Sequence, residues 1–358
     1  MTVFHALKIK TITRETRDAV VLTFDVPDDL LDQYRYTQGQ HLTLRTHISG
    51  EEVRRSYSIC SSVQDQQLIV AVKKVSGGLF SDWANSVLKT GDTVDVLPPT
   101  GHFNVPLSAQ NEKHYAAFAA GSGITPILSI VKTTLQAEPE SRFTLVYGNR
   151  ASSSIMFKEA LEDMKDTYLE RLNLVFVMSR EQQDIPLFNG RINREKCDAL
   201  LEHWLKASAI DVAFICGPDS MMHDVSASLQ AHGLDKKHIK MELFTAGIPS
   251  ANRVAPVHHV VGKSACEVTV IQDGRSRSFG MDKNKQSLLD AALSHGIELP
   301  YSCKGGICST CRAKLVTGEV DMDNNFALED YEVARGFVLC CQSFPVTDNV
   351  TVDFDQET

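Results

Sequence analysis

One short run of residues constrains this chain more than any other feature. Its cysteines follow the spacing C-x4-C-x2-C, and two adjacent cysteines follow about 29 residues later. These five residues are Cys303, Cys308, Cys311, Cys340 and Cys341. Plant-type [2Fe–2S] clusters are bound by cysteines in this spacing together with one distant cysteine. Gly305 and Gly306 lie inside the run and allow backbone N–H groups to turn toward the sulfurs. The spacing therefore predicts an iron–sulfur site.

The fourth ligand of such a cluster is either Cys340 or Cys341. Neighbouring residues on a strand point to opposite faces, so only one of the two enters the site, and we expect Cys341. A structural zinc ion is the alternative occupant. Zinc sites favour two short C-x2-4-C pairs, and this chain has only one short pair. The predicted cluster ligands are Cys303, Cys308, Cys311 and Cys341.

The length of 358 residues exceeds what one hydrophobic core usually reaches, and it suggests two or three domains. Residues 1–106 contain short period-two runs separated by turn residues, which predict an antiparallel β-barrel. Residues 107–245 alternate apolar strands with helices, which indicates an α/β domain with a parallel sheet. Residues 246–262 contain two prolines and two glycines and are interpreted as a linker. Residues 263–358 form a third block, which holds the cysteine motif.

The periodicity predicts individual elements in each block. The predicted strands are residues 19–26, 41–46, 68–72 and 93–97 in the first block, 114–120, 143–148, 172–179 and 212–217 in the second, and 266–271, 276–280, 312–318, 336–341 and 349–354 in the third. The predicted helices are residues 80–88, 127–135, 155–165, 220–231 and 287–296.

Charge and hydropathy exclude several classes of function. The chain has 36 basic and 45 acidic residues, so it lacks the basic excess of a nucleic-acid-binding protein. Residues 263–358 hold 15 acidic and nine basic residues, which suits a partner with a basic face. The most apolar stretch, 115–131, is short for a membrane span and is interrupted by glycine. The first residues lack the pattern of a secretory signal, so we expect a cytoplasmic protein.

Three loops of the second block suit a nucleotide. They are residues 119–126, 147–150 and 216–218. Gly121 and Gly123 permit close backbone approach, Thr125 is expected to cap the following helix, and Pro126 suits its first turn. The start of a helix attracts an anion. Because ligands of open parallel sheets bind at the carboxyl ends of strands, we expect a nucleotide site there.

The first block has its own candidate anion-binding residues. Arg55 can pair with a pyrophosphate, and Tyr57 can stack on a planar ring. Gly77 and Gly78 precede the helix predicted at 80–88, and they offer a second helix start for a phosphate.

Together these motifs resemble the ferredoxin–NADP reductase superfamily. The matching segments are Arg55-x-Tyr57-Ser58 for the flavin, Gly77-Gly78 through Ser81 for its pyrophosphate, Gly121 to Pro126 for the nicotinamide nucleotide, Cys216-Gly217-Pro218, and Glu242-Leu243-Phe244. The resemblance implies FAD in the barrel, NADPH or NADH on the α/β domain, and a C-terminal β-grasp ferredoxin domain with a [2Fe–2S] cluster. It also implies an NAD(P)H oxidoreductase.

The same resemblance implies roles for individual residues. Ser58 would lie near the flavin N5, Cys216 and Glu242 near the nicotinamide ring, and Phe244 over the flavin. Ser179 and Arg180 resemble the 2′-phosphate grip of NADP-using relatives. Arg150 would add positive charge to that grip, whereas Glu181 is an unfavourable neighbour if it faces inward. The pattern favours NADPH over NADH.

Within the superfamily, several stretches are similar to the reductase subunits of phenylacetyl-CoA epoxidases. They include residues 16–20, 39–44, 54–60 and 119–128. This resemblance implies electron transfer from NADPH through FAD and [2Fe–2S] to a multi-subunit di-iron oxygenase. The alternatives are a reductase of another oxygenase, hydroxylase or desaturase, or a redox-sensing module without turnover. A self-contained oxygenase is disfavoured because the 12 histidines are scattered and none belongs to an E-x-x-H pair of the di-iron type.

Overall fold

The structure is a computed structural model, and it describes residues 3–244 and 264–356. Contacts within the chain place residues 4–244 largely in one unit and residues 264–356 in a second unit. The linker predicted at 246–262 lies outside the described residues.

Strands dominate both units. The strands of the first unit are β1 (His5–Thr16), β2 (Ala19–Asp25), β3 (His41–Ile48), β4 (Glu51–Ser58), β5 (Leu68–Lys73), β6 (Thr93–Val96), β7 (His114–Ala120), β8 (Arg142–Asn149), β9 (Leu172–Met178), β10 (Val212–Gly217) and β11 (Ile239–Leu243). Its helices are α1 (Leu79–Ser86), α2 (Ile124–Ala137), α3 (Lys158–Thr167), α4 (Arg194–His203) and α5 (Asp219–Ala231). The second unit contains β12 (Ala265–Gln272), β13 (Arg275–Asp282), α6 (Leu288–Ser294), β14 (Arg312–Thr317), β15 (Val320–Met322), α7 (Asp330–Ala334), β16 (Phe337–Leu339), β17 (Ser343–Pro345) and β18 (Asn349–Asp353).

The first six strands form one sheet in the order β4-β3-β6-β1-β2-β5. Alternate residues point inward, so side chains such as Leu7, Ile9 and Leu22 are fully buried in a common core. An antiparallel bridge between Ile59, directly after β4, and Val70 of β5 joins the two edge strands. This bridge closes the sheet into a barrel. The predicted antiparallel barrel is confirmed.

Strands β7 to β11 form a parallel sheet in the order β11-β10-β7-β8-β9. All six residues of β10 are buried, as expected for a strand covered on both faces. The chain runs outward from β7 to β8 and β9, and then continues on the other side of β7 with β10 and β11. The strand order therefore reverses between β7 and β10, and such a point opens a ligand crevice at the carboxyl ends of the strands. The predicted α/β domain is confirmed.

The second unit is built on a mixed sheet in the order β13-β12-β18-β14-β16. The predicted hairpin joins β12 to β13 through Asp273 and Gly274, whose φ angles of 52° and 69° suit a tight two-residue turn. Strand β18 pairs parallel to β12 and antiparallel to β14. Ser287 caps α6 by accepting a hydrogen bond from the backbone N–H of Asp290. This mixed sheet with its helix is the expected β-grasp arrangement.

The sequence interpretation differs from the structure at several element boundaries. Helix α3 begins at Lys158 and not at residue 155, because Phe157 adopts a left-handed conformation with φ of 59°. Helix α4 was not predicted, although Asn193 is a good capping residue and accepts from the Lys196 N–H. Strand β11 was also not predicted as a strand. None of the described helices is long and apolar enough to cross a membrane.

Candidate active site and iron–sulfur centre

The loop after β7 approaches the end of β10 at the switch point of the parallel sheet. Gly121 has a φ of 55°, and no atom lies within 4 Å of the place where its Cβ would stand. At Gly123 a Cβ would lie 2.1 Å from the carbonyl oxygen of Cys216, so only glycine fits between the two loops. The loop thus leaves open space beside the start of α2, where an anion can meet backbone N–H groups.

Thr125 was expected to cap α2, and this expectation is wrong. Helix α2 begins at Ile124, so Thr125 lies inside its first turn, where its hydroxyl donates to the carbonyl of Ser122 at 3.1 Å. The short 3-10 turn of residues 121–123 runs directly into the helix and leaves no room for a side-chain cap. Pro126 lies in the first turn, as predicted, where its missing N–H costs no helical hydrogen bond.

Ser58, Cys216 and Glu242 come together at the carboxyl end of the parallel sheet. Cys216 on β10 and Glu242 on β11 are register partners in adjacent parallel strands. The Ser58 hydroxyl, at the end of β4 in the barrel, donates to Glu242 Oε2 at 3.2 Å. Three residues from three separate sequence segments therefore form one cluster between barrel and sheet.

The surroundings of this cluster favour the neutral form of its acid groups. Burial raises the pKa of Glu242 to about 8, although the hydrogen bond from Ser58 opposes the shift. Burial, and then the nearby Glu242 carboxyl, raise the pKa of the Cys216 thiol well above its usual range. A proton is therefore available at Glu242 near neutral pH.

Two further segments flank this cluster in the chain: Gly217 and Pro218 follow Cys216, and Phe244 follows β11. Gly217 lies beside Ala120 of β7, and a Cβ on it would meet Met221 Cε at 2.6 Å. Pro218 stands immediately before α5 and leads into its first turn. Phe244 follows β11, is half-buried, and packs against the core that includes Cys216.

The candidate flavin residues of β4 differ in exposure. Arg55 is exposed, and its guanidinium donates to the carbonyl of Arg54 at 2.7 Å. Tyr57 is half-buried, with its ring 5.4 Å from that of Phe80 in α1. Ser58 points away from both and is buried. A cation and an aromatic ring are thus accessible on one face of the strand, as a flavin nucleotide requires.

The glycine turn before α1 is held in place by the side chain of Ser81, a residue of that helix. Gly77 has a φ of 72° and open space at its Cβ position. A Cβ on Gly78 would lie 2.6 Å from Ser81 Oγ. The Ser81 hydroxyl accepts from the N–H of Val75 at 3.0 Å and donates to the carbonyl of Gly78 at 3.1 Å. Ser81 therefore holds the glycine turn in place through its hydroxyl.

Two arginines stand side by side beyond the ends of β8 and β9. The N–H of Arg180 donates to the carbonyl of Arg150 at 2.8 Å, and both side chains are exposed. Ser179 is half-buried, and its backbone N–H donates to the carbonyl of Asn149. The Glu181 carboxylate accepts from the backbone N–H of Ser152 at 2.8 Å and from its hydroxyl. The Glu181 carboxylate is therefore held by hydrogen bonds to the loop that contains Ser152.

A polar stripe on α2, which was not predicted from the sequence, holds the barrel against this helix. Ser129 Oγ donates to the carbonyl of Ser61 at 2.7 Å, and Lys132 Nζ lies 2.8 Å from the Asp65 carboxylate. Thr133 Oγ1 accepts from the Val63 N–H at 3.2 Å. The signal was available, because these three polar residues recur at i, i+3 and i+4 in a largely apolar helix. The stripe fixes the barrel beside the nucleotide loop.

In the second unit the predicted ligands form two pairs. The thiols of Cys303 and Cys308 share a hydrogen bond, and so do those of Cys311 and Cys341. The hydrogen bond from Cys308 lowers the pKa of Cys303 to about 6, and the bond from Cys311 lowers the pKa of Cys341. Each pair thus favours one thiolate, which is the form that binds metal.

Cys340 differs from its neighbour. It is fully buried, and burial raises the pKa of its thiol. Its backbone N–H donates to the carbonyl of Cys311, whereas the thiol paired with that of Cys311 is the one of Cys341. The predicted strand over residues 336–341 is wrong at its end, because β16 stops at Leu339 and both cysteines lie in the turn that follows, where the alternation of a strand does not apply. The arrangement favours Cys341 as the fourth ligand.

The pairing also bears on which metal fits. A tetrahedral zinc site gathers four ligands around one point. Two thiol pairs suit two irons, each bound by one pair, and the backbone N–H of Gly305 points at Cys303 Sγ at 3.3 Å. The donor set therefore fits a [2Fe–2S] cluster better than zinc.

Comparison with protein families finds three domains in chain order. Residues 6–105 match the oxidoreductase FAD-binding domain, residues 118–227 the oxidoreductase NAD-binding domain, and residues 270–346 the 2Fe-2S iron-sulfur cluster binding domain.

Curated relatives extend over nearly the whole chain. A subunit of the 1,2-phenylacetyl-CoA epoxidase from Escherichia coli is 47% identical over 355 residues, which cover 99% of each chain. The ferredoxin reductase component of 3-ketosteroid-9-alpha-monooxygenase from Rhodococcus rhodochrous is 34% identical and covers 97% of this chain and 96% of its own length.

Solved structures share the fold. Phthalate dioxygenase reductase matches with a TM-score of 0.58 at 23% identity, over 98% of both chains. An intact type IV self-sufficient cytochrome P450 monooxygenase matches with a TM-score of 0.67 at 19% identity, over 98% of this chain and 41% of that one. The chain belongs to the ferredoxin–NADP reductase superfamily, in the family that adds a C-terminal plant-type ferredoxin domain, and it is an NAD(P)H oxidoreductase that uses FAD and a [2Fe–2S] cluster.

Proposed function

We propose that this reductase delivers electrons from NADPH to a multi-subunit di-iron oxygenase of the phenylacetyl-CoA epoxidase type. The observation that carries this proposal is the 47% identity to the E. coli epoxidase component over 99% of both chains. The oxygenase then uses the electrons in phenylacetate degradation. Because clustered thiols need a reducing compartment, we also propose a cytoplasmic location.

Each cofactor would be bound by its own domain. We propose an FAD-binding domain at 1–106, an NAD(P)-binding domain at 107–245 and a ferredoxin domain at 263–358, joined by a linker at 246–262. The family matches at 6–105, 118–227 and 270–346 fall inside these limits and support them.

We assign FAD to the barrel. Arg55 would pair with its pyrophosphate and Tyr57 would stack on its ring, while the turn of Gly77, Gly78 and Ser81 would offer N–H groups to the phosphate. Bound FAD supplies the conversion of one hydride into two single-electron transfers, and the cluster supplies a one-electron carrier. The open space at Gly77 supports this cradle.

Ser58 and Cys216, which are buried, and Glu242, which is half-buried, would surround the reacting end of the nicotinamide. Glu242 holds a proton at neutral pH, so it places no fixed negative charge beside the site of hydride transfer. Ser58 orients that carboxyl through its 3.2 Å hydrogen bond. Cys216, which stays a neutral thiol, would contact the ring, and Phe244 would exclude water from it.

The nucleotide itself would lie across the switch point. Gly121, Gly123, Thr125 and Pro126 form the loop and first turn that would receive its pyrophosphate, opposite Gly217 and Pro218. Ser179 and Arg180, with Arg150 beside them, would bind a 2′-phosphate, which only NADPH carries. The engagement of Glu181 by Ser152 supports this preference, because it draws the carboxylate toward another loop.

In the [2Fe–2S] cluster, Cys303 and Cys308 would bind one iron, and Cys311 and Cys341 would bind the other. The thiol pairing and the N–H of Gly305 support this ligand set.

The decisive experiment is reconstitution with the purified phenylacetyl-CoA oxygenase. We expect NADPH-dependent conversion of phenylacetyl-CoA, together with cytochrome c reduction when the oxygenase is absent. A matched assay uses the oxygenase of the 3-ketosteroid-9-alpha-monooxygenase system, because the ferredoxin reductase component of that system is also a full-length relative. Cytochrome c reduction without turnover of phenylacetyl-CoA would reject the epoxidase partner and retain the reductase. Binding of both cofactors without any reduction would instead support a redox-sensing module.

A further inference from the structure

The residue that follows the fourth proposed ligand has an unusual set of contacts. Gln342 is buried, with 5% of its surface exposed. Its amide nitrogen lies 3.0 Å from the carbonyl oxygen of Lys304, 2.9 Å from the carbonyl oxygen of Cys341 and 3.6 Å from Cys341 Sγ. An amide nitrogen has two hydrogens. One is directed to Lys304, and the other is shared between the oxygen and the sulfur of Cys341.

The opposite end of this amide is also fixed. Gln342 Oε1 accepts from the amide nitrogen of Asn324 at 2.9 Å, which settles which end of the side chain faces the sulfur. The backbone of Gln342 is held as well, since its N–H donates to Leu339 and its carbonyl accepts from Asp323. One side chain therefore connects the cysteine loop, the fourth ligand and the segment around residue 324.

The loop is built around this side chain. A Cβ on Gly306 would lie 2.7 Å from the carbonyl oxygen of Asn324 and 3.1 Å from Gln342 Cγ. Lys304, whose carbonyl receives the amide, adopts a left-handed φ of 50°. The hydrogen bonds to Lys304 and from Asn324 hold the amide in this close-packed loop, with its nitrogen beside the sulfur.

Hydrogen bonds to cluster sulfurs are one of the factors that set the reduction potential of an iron–sulfur cluster. Reduction adds an electron, so the sulfurs become more negative and a donated N–H stabilises the reduced form more than the oxidised form. Removal of the donor should therefore lower the potential.

We propose that Gln342 is a positioning residue that tunes the cluster: its amide donates to the sulfur of Cys341 and clamps the cysteine loop, which raises the reduction potential. The proposal rests on the proposed ligand set of Cys303, Cys308, Cys311 and Cys341. It concerns a residue outside the cysteine motif and beyond the ligands themselves.

The test is the full-length holoprotein with Gln342→Met, which keeps the volume of the side chain and removes its donors. We expect the one-electron reduction equilibrium of the cluster to shift toward the oxidised form by about threefold to tenfold, where tenfold equals 59 mV. The electron paramagnetic resonance signal of the reduced cluster should shift as well. The matched control is Asn325→Ala, which removes an amide that bonds to the backbone of Leu328 in the neighbouring segment.

The outcomes are distinguishable. An unchanged potential and resonance signal in Gln342→Met, with only a loss of thermal stability, would show a purely structural residue and overturn the proposal. If that variant assembles no iron–sulfur cluster, Asn324→Ala provides the test. This variant removes the hydrogen bond to Gln342 Oε1, so it should lower the reduction potential of the cluster by a smaller amount. No shift in Asn324→Ala then overturns the proposal. Absence of a cluster from the wild-type protein would instead refute the ligand set on which it rests.

Discussion

The Ser58 hydroxyl reaches across from the barrel to donate a hydrogen bond to the Glu242 carboxyl of the parallel sheet, at 3.2 Å. This bond ties together residues 184 positions apart, and it lies beside the buried thiol of Cys216. Because burial holds the Glu242 carboxyl protonated at neutral pH, the pair is a neutral hydrogen-bonded unit, and its protonation has consequences that can be measured.

The first prediction concerns stability against pH. The pKa of Glu242 is about 8 in the folded protein and close to 4.5 when unfolded. Between these values the carboxyl ionises only on unfolding, so its effect is to lower stability as pH rises from about 4.5 to about 8. Glu242→Gln cannot ionise, so this fall should disappear. At pH 8 we expect the variant to be more stable than wild type by about 1–3 kcal/mol.

Thermal unfolding between pH 5 and 9 measures this difference. The two curves should diverge with rising pH, and parallel curves would contradict a raised pKa for Glu242. Ser58→Ala provides a second readout, because the hydrogen bond from Ser58 lowers that pKa. In this variant the midpoint of the pH effect should move to higher pH.

The second prediction separates two adjacent cysteines. Cys341→Ala should lose iron, inorganic sulfide and the visible absorption of the cluster, because its thiol is paired with that of Cys311. Cys340→Ala should keep iron and colour and lose only about 1 kcal/mol of stability, since it removes a buried sulfur from the core. Iron and sulfide analysis per chain distinguishes them. Retention of iron by Cys341→Ala, with loss by Cys340→Ala, would reverse the assignment.

The third prediction concerns the crossing of two loops at the switch point. Gly123→Ala would place a methyl group 2.1 Å from the backbone oxygen of Cys216, so one of the two backbone segments must shift. We expect a loss of about 1–3 kcal/mol in stability and weaker binding of the nucleotide, because the loop must be displaced from its position. Unfolding midpoints and nucleotide titration measure the two effects.

A suitable control is Gly280→Ala on β13. No atom lies within 4 Å of the added Cβ, and the backbone is not in the left-handed region. It should leave stability and nucleotide affinity close to wild type. Equal behaviour of Gly123→Ala and Gly280→Ala would contradict the close approach.

Much of this architecture was accessible to sequence reasoning, for physical reasons. Alternating apolar residues indicate strands buried on one face, and continuous apolar runs indicate strands buried on both faces, so the barrel and the parallel sheet could be predicted. Asp273 and Gly274 identified their hairpin because a left-handed two-residue turn favours these residue types. The cysteine spacing predicted the cluster because four thiolates must converge.

The remaining features depend on tertiary contacts. Thr125 has the chemistry of a cap, but the 3-10 turn before α2 moves it into the helix. Phe157 takes a left-handed conformation that its sequence does not suggest. Gln342 meets Lys304 only because two distant segments fold together, and no pattern within either segment indicates that contact.

The last prediction tests the choice of nucleotide at the adjacent arginines. Arg180→Ala should lower kcat/KM for NADPH by about tenfold or more and leave kcat/KM for NADH nearly unchanged, because only NADPH carries the 2′-phosphate that an arginine binds through paired hydrogen bonds. Arg150→Ala should act in the same direction, since its backbone is joined to that of Arg180 at 2.8 Å and both side chains are exposed.

The control for general charge is Arg194→Ala on α4. Arg194 is exposed and lies 3.9 Å from Asp198 within its own helix, so its removal should change neither specificity constant. An equal loss with Arg180→Ala and Arg194→Ala would indicate a long-range effect of positive charge. A higher kcat/KM for NADH in the wild-type enzyme would reject the NADPH preference altogether. A drop confined to NADPH in Arg180→Ala, with no drop in Arg194→Ala, supports direct contact with the 2′-phosphate, because long-range attraction by positive charge would also weaken NADPH use in Arg194→Ala.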